Sequence, residues 1–141
     1  MMKRVLMLIA GAMVTGSSVS AQTATQLTVY QDPNCGCCAE WGKYMESAGF
    51  TIASINTTNI AHYKTKLGVP SQLSSCHTAI IASSGQVVEG HVPSKVVNKL
   101  LAQPWVKGVA APGMPVNAPG MGTLNGTLTT VDFNGKAFSR D

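Results

Sequence analysis

Charge is scarce in this chain: of 141 residues, six are acidic and ten are lysine or arginine. No two carboxylates are placed as the pair that general acid–base hydrolysis uses, and no nucleophile–base constellation is visible. There is no Gly-rich phosphate loop either, so ordinary hydrolase or kinase chemistry has no support. Beyond the start of the chain, lysine and arginine form no cluster, which argues against nucleic acid as a partner. After the first residues, no apolar stretch reaches the roughly 20 residues that a membrane-spanning helix needs.

What is present begins with an export pattern. Lys3 and Arg4 precede an apolar run over residues 5–14, and Val19-Ser20-Ala21 is an acceptable small-residue cleavage site. Residues 1–21 are therefore read as a signal peptide, which predicts a periplasmic protein with residues 22–141 as one domain. Without Lys3 and Arg4, eight basic residues face six acidic ones, leaving a net charge of +2. In an oxidising compartment disulfides persist, so keeping several reactive thiols there needs a reason.

Local patterns then give an order of elements. Leu27-Thr28-Val29-Tyr30 alternates as a strand, Asp32-Pro33-Asn34 breaks it, and Asn34 is a plausible helix N-cap. From Cys38, the residues Trp41, Tyr44, Met45 and Ala48 fall on one apolar helical face that Gly49 ends. Residues 50–55 read as a second strand, and Ile60, Tyr63, Lys64 and Leu67 as a second helix stopped by Gly68 and Pro70. Residues 78–82 and 86–89 form a predicted hairpin around Ser84-Gly85. Pro93 suits a first helical position, and Val96, Val97, Leu100 and Leu101 mark a last helix. The resulting α/β order, β-α-β-α-β-β-α, is the thioredoxin-like arrangement, with its core over about residues 26–103. Residues 104–141 are read as a C-terminal extension: a Pro/Gly/Met-rich irregular surface loop over 111–122, then a hairpin turning at Asn134-Gly135.

The chemistry concentrates in cysteine. Cys35, Cys37 and Cys38 lie within four residues at the start of the first helix, and Cys76 is followed at once by His77. A vicinal Cys37–Cys38 bridge would be strained. Full oxidation therefore pairs Cys35 with Cys38 and Cys37 with Cys76, or Cys35 with Cys37 and Cys38 with Cys76. Cys35 and Cys38 have CxxC spacing at a helix N-terminus, where the dipole and unpaired N–H groups favour a thiolate. They suit either a catalytic redox pair or a metal site; the plain alternative is a structural disulfide. Cys37 weighs towards metal, because an extra thiol hinders a disulfide oxidoreductase but serves a soft-metal cluster. Cu(I) favours such thiolates. Zinc competes, through a tetrahedral site of three cysteines and His77.

Cys76 and His77 fall just before the third strand, the position that faces the active-site cysteines in thioredoxin-like folds. There they are candidate ligands, or Cys76 a resolving thiol; the alternative is a buried cysteine beside a surface histidine. His91 reads first as a capping or satisfied loop residue and second as a ligand. Met114 and Met121, in two Pro-Gly-Met repeats, offer thioethers that disulfide formation cannot consume, or simply fill gaps.

Five segments together carry a resemblance: the run from Tyr30 to Cys38, Val69-Pro70 leading to Ser75-Cys76-His77-Thr78, Val88-Glu89-Gly90-His91-Val92-Pro93, Pro112-Gly113-Met114-Pro115 and Pro119-Gly120-Met121. In type and order they resemble the CopG-type family of exported bacterial copper-resistance proteins, from about Leu27 to Met121. The resemblance implies Cu(I) held by Cys35, Cys37 and Cys38, with Cys76 and His77 as further ligands. It also implies thiol–disulfide exchange coupled to copper, and a copper exporter or periplasmic copper chaperone as partner. It carries nothing over to residues after Gly122.

Overall fold

A computed structural model describes residues 22–141. The signal segment expected over residues 1–21 lies outside the described residues. The elements are β1 (Gln26–Gln31), α1 (Gly36–Ser47), β2 (Thr51–Asn56), α2 (Ile60–Lys66), β3 (Thr78–Ile81), β4 (Val87–Glu89), α3 (Ser94–Leu101), β5 (Gly108–Ala110), β6 (Thr129–Asp132) and β7 (Ala137–Arg140). A single 3₁₀ turn, Ser71–Leu73, follows α2. Up to α3 the order is the one read from the sequence. Among the described residues, no helix is long and apolar enough to cross a membrane.

All seven strands form one sheet in the order β2-β1-β3-β4-β5-β6-β7. β1 runs parallel to β2 and antiparallel to β3, and β3 and β4 form the expected antiparallel hairpin. Residues 104–141 do not stand apart from this sheet. β5 pairs parallel to β4, and β6 and β7 continue the sheet antiparallel. β5 was not anticipated. Its three residues, Gly-Val-Ala, are too few to show a period. Gly108 is required there, because a Cβ would stand 2.6 Å from the Phe133 ring and 2.8 Å from the Val87 carbonyl oxygen.

Alternation along the strands divides the sheet into two faces. Leu27, Val29, Ala79, Ile81 and Val88 join Trp41 and Met45 of α1 and Val96, Val97 and Leu100 of α3 in one buried cluster, which also takes in Val109 and Ala111. Each Val, Leu, Ile or Met among them contributes roughly 1.5–3 kcal/mol by leaving water. The opposite face carries α2, which buries no residue fully. It is held instead by stacking of Tyr63 on Tyr30 at 4.1 Å between ring centroids, and by Lys64, which pairs with Glu89.

Three local expectations shift. The N-cap of α1 is Cys35 rather than Asn34, because the Asp32 carboxylate accepts from the Asn34 N–H at 2.8 Å and closes the turn earlier. Ala48 is not on the buried face. It is the exposed C-cap, since α1 ends at Ser47. Pro93 caps α3 from outside, with extended backbone, and the helix begins at Ser94.

Candidate metal centre

Strand register brings the sulfur-bearing segments together. Tyr30 lies opposite Thr78, and Thr78 opposite Glu89. The end of β1, the start of β3 and the end of β4 therefore share one end of the sheet. The first leads into Cys35-Gly36-Cys37-Cys38, the second follows Cys76-His77, and the third leads into Gly90-His91.

At that end Cys35 and Cys38 are joined as a disulfide, while Cys37 and Cys76 are free. This is the Cys35–Cys38 half of the first of the two pairing schemes. The Cys35 and Cys37 sulfurs are 3.5 Å apart. All four cysteine sulfurs lie within 4.8 Å of one another, and so do the ligating atoms of Cys76, His77 and His91. Cys76 is thus common to a four-sulfur group and a sulfur–imidazole group.

His91 is fully buried, and its Nδ1 donates to the Pro119 carbonyl at 2.7 Å. That bond fixes the proton on Nδ1 and aims a bare Nε2 at the Cys76 sulfur, 3.0 Å away. Burial, and then the neighbouring Cys37, push the Cys76 thiol up to about 11. Burial also lowers His91. The metal-free pair is therefore a neutral thiol donating S–H to a neutral imidazole, and a metal held by this sulfur would have to displace that proton.

His77 is buried too, not a surface residue. Its Nδ1 is 3.4 Å from the Cys76 sulfur, and its ring packs on Trp41 at 4.5 Å and on His91 at 5.0 Å between centroids. Its Nε2 is buried without a hydrogen-bond partner among the described residues. Burial, then the nearby His91 and Lys64, lower its pKa from 6.5 to about 3. Between those values the unfolded chain takes up a proton that the folded chain refuses. Stability is thus complete above about pH 6.5 and falls as the pH drops towards about 3, by a few kcal/mol over the window. His77→Phe, which keeps a ring against Trp41, should flatten this dependence. Denaturant unfolding of the metal-free protein between about pH 4 and 7 checks it; equal slopes in both proteins would remove His77 as the cause.

Residues 111–122 are irregular, as expected, and only in part a surface loop: Gly113, Met114, Val116, Met121 and Gly122 are exposed, but Ala111, Ala118 and Pro119 are buried. The segment forms one wall of the site. Gly120, at φ +84°, lies so close to α1 that a Cβ would be 2.7 Å from the Trp41 nitrogen and 3.0 Å from the Cys37 carbonyl oxygen. Gly120→Ala should push the segment off α1, weaken the Pro119–His91 bond and destabilise the fold by about 1–3 kcal/mol. Thermal unfolding together with the His91 ring resonances in an NMR spectrum tests this. Unchanged resonances would mean that Pro119 does not hold the ring.

Of the two methionines, Met114 is brought to the edge of the site. Ser75 Oγ donates to the Gly113 carbonyl at 2.6 Å and lies 4.0 Å from both the Met114 and Cys76 sulfurs, so Met114 borders the cysteines through Ser75. Met121 is partly exposed, one residue after Gly120. Two supports were not legible as such. The Pro119 carbonyl bears no side-chain signal, although the Pro-Gly-Met repeat marked its segment. Glu89, fully buried, accepts from the Ser75 N–H at 2.8 Å and from Thr78 Oγ1 at 2.6 Å, which clamps both flanks of Cys76-His77.

A family model described as a protein of unknown function, DUF411, matches residues 73–121, the stretch that holds Cys76, His77, His91 and both methionines. No curated protein matches the chain. Two solved structures, Form 1 and Form 2 of the copper resistance protein copG, superpose with a TM-score of 0.73 at 35% sequence identity. In each the match covers 84% of this chain and 98% of the other. Likeness over nearly the whole of those chains agrees with the motif order read from the sequence, and the chain belongs to the CopG family of copper resistance proteins.

Proposed function

We propose that this is an exported, periplasmic copper-binding protein that holds Cu(I) through Cys35, Cys37, Cys38 and Cys76, with His77 and His91 as imidazole ligands. Met114, beside Ser75, and Met121 are further thioether donors. The observation that carries the reading is the meeting of four sulfurs within 4.8 Å, one of them from a segment 38 residues beyond Cys38. Thiolate and imidazole donors suit Cu(I), and thiolates can bridge two ions. Similarity to a protein named for copper resistance supports copper over zinc. Binding through all four sulfurs requires an external dithiol to reduce the Cys35–Cys38 disulfide, becoming a disulfide itself as it passes over two electrons and two protons, after which each thiol that becomes a copper-bound thiolate releases one proton. The protein then serves copper resistance by sequestering Cu(I) and passing it to a copper exporter or periplasmic chaperone.

The Cys35–Cys38 disulfide favours a second reading, a thiol–disulfide or copper oxidoreductase. In it the reduced pair gives one electron to each of two Cu(II), forming two Cu(I), the disulfide and two protons.

Anaerobic titration of the reduced protein with Cu(I) against a competing chelator, counting bound copper and remaining thiols, separates the two. Tight uptake with loss of thiols is expected, and Cys37→Ser should weaken it by about tenfold or more. Unchanged affinity in Cys37→Ser would sink the cluster. Failure to compete, with a freely exchanging Cys35–Cys38 pair, favours the oxidoreductase; preferential uptake of zinc overturns copper.

A further inference from the structure

The chain's few charges are unevenly used. Among the described residues, Lys43 pairs with Glu40, Lys64 with Glu89 and Lys95 with Asp141. Lys66, Lys99, Lys107, Lys136 and Arg140 are left without a carboxylate partner. Four of those five line two adjoining grooves, of about 570 and 450 Å³, which share Val106, Lys107 and Phe133. Lys99, Lys107 and Lys136 stand in the first and Lys66 in the second. The one carboxylate in the first groove, Asp132, accepts from the Asn134 and Lys136 N–H groups through Oδ1 at 2.9 and 3.0 Å, and its single charge faces three lysines. Neutralising so few lysines elsewhere while collecting the rest here leaves a concave positive surface.

The groove is also aromatic. Trp105 is 75% exposed, the most exposed aromatic among the large apolar residues. Phe133 and Phe138 line the same wall, and the Lys99 ammonium sits over the Phe138 ring at 4.6 Å. Its place in the fold is equally definite. Lys107 precedes Gly108, which lies opposite Val87 at the start of β4, whereas His91 follows the end of β4. The groove is therefore at the opposite end of the sheet from the cysteines.

We infer that this groove docks an acidic, partly apolar polypeptide segment of a partner protein, leaving the cysteine end of the molecule open. Charge complementarity selects carboxylates, and the exposed Trp105 ring, beside the partly buried Phe133 and Phe138, selects apolar side chains next to them. A small anion would engage one or two lysines and leave the aromatics wet. A flat anionic membrane would not reach lysines spread along a concave wall. The grooves and the cysteine–histidine groups share no residue, so docking and copper binding can fail separately.

Fluorescence anisotropy of a short fluorescein-labelled peptide alternating glutamate and valine, added to the protein at low salt, tests this. Binding is expected, with quenching of Trp105 and loss of affinity as salt rises. The double variant Lys107→Glu/Lys136→Glu, at two exposed positions, should weaken it by about tenfold or more while circular dichroism and copper uptake stay as they were. Trp105→Ala should weaken it too, at constant charge. The proposal is overturned if the peptide does not bind, if a glutamine–valine peptide binds as well, or if the charge-reversed variant binds unchanged. It is also overturned if inorganic phosphate displaces the peptide as effectively as unlabelled peptide does, or if phosphatidylglycerol vesicles bind while the peptide does not.

Discussion

Cys76→Ser should lower the Cu(I) affinity of the reduced protein by on the order of 100-fold or more. Removing a partner that merely orients a ligand already costs 10- to 100-fold, and Cys76 has a larger part. It is the one residue shared by the four-sulfur group and the Cys76–His77–His91 group. Its loss leaves Cys37 with the Cys35–Cys38 pair on one side, two imidazoles on the other, and no sulfur to bridge them. Serine is nearly the same size, and the half-buried position already lies beside the Ser75 hydroxyl, so the fold should survive. Chelator competition with the reduced variant gives the affinity, and redox titration gives the Cys35–Cys38 potential independently. An affinity within about threefold of the parent would exclude Cys76 as a ligand. A changed potential with unchanged affinity would assign it to thiol exchange as a resolving cysteine.

The second large effect is on stability. Glu89→Ala should cost about 3–5 kcal/mol, because it leaves the mostly buried Lys64 ammonium without its counter-charge and the Ser75 N–H without its acceptor. The bond from Thr78 Oγ1 to the carboxylate, at 2.6 Å, goes with it, and Thr78 Oγ1, which accepts from Lys64 at 3.0 Å, is left as the ammonium's one remaining side-chain partner. The pair closes β4 against α2, on a face where α2 contributes no fully buried side chain, so little else replaces it. Urea unfolding measures the loss. The double variant Lys64→Met/Glu89→Leu, which removes both charges, should recover most of it. If it does not, the carboxylate's bonds to Ser75 and Thr78 matter more than the ion pair. Copper affinity should fall in Glu89→Ala as well, since Ser75 and Thr78 flank Cys76-His77.

Most of the element order was written locally. The face of Trp41 and Met45, the alternation of β1, the Ser84-Gly85 turn and the Val96, Val97, Leu100 stripe each report their element from neighbours in the chain. A helix or strand with a buried face must repeat apolar residues at its own period, and that repeat can be read without knowing the partner. The cysteine spacing at a helix start and the Cys76-His77 pair before β3 were legible for the same reason, and the order of the motifs carried the family.

Other features had no local signature. β5 was missed because three small residues carry no period, and Gly108 is there only because Phe133 and Val87 press on it from elsewhere. Ala118 and Pro119 looked like surface residues because a Pro/Gly-rich composition reports an irregular backbone, not where that backbone packs. That Cys37 meets Cys76 as a free thiol rather than in a second disulfide, which atom of His91 is free, and that Glu89 steadies the Cys76 segment all depend on contacts between residues far apart in sequence. The sequence by itself determined the chemistry and the order of the parts, since composition and period are local properties. Only the tertiary structure decided which parts meet, because strand register sets whether Tyr30, Thr78 and Glu89 align and so whether Cys76 reaches both Cys37 and His91.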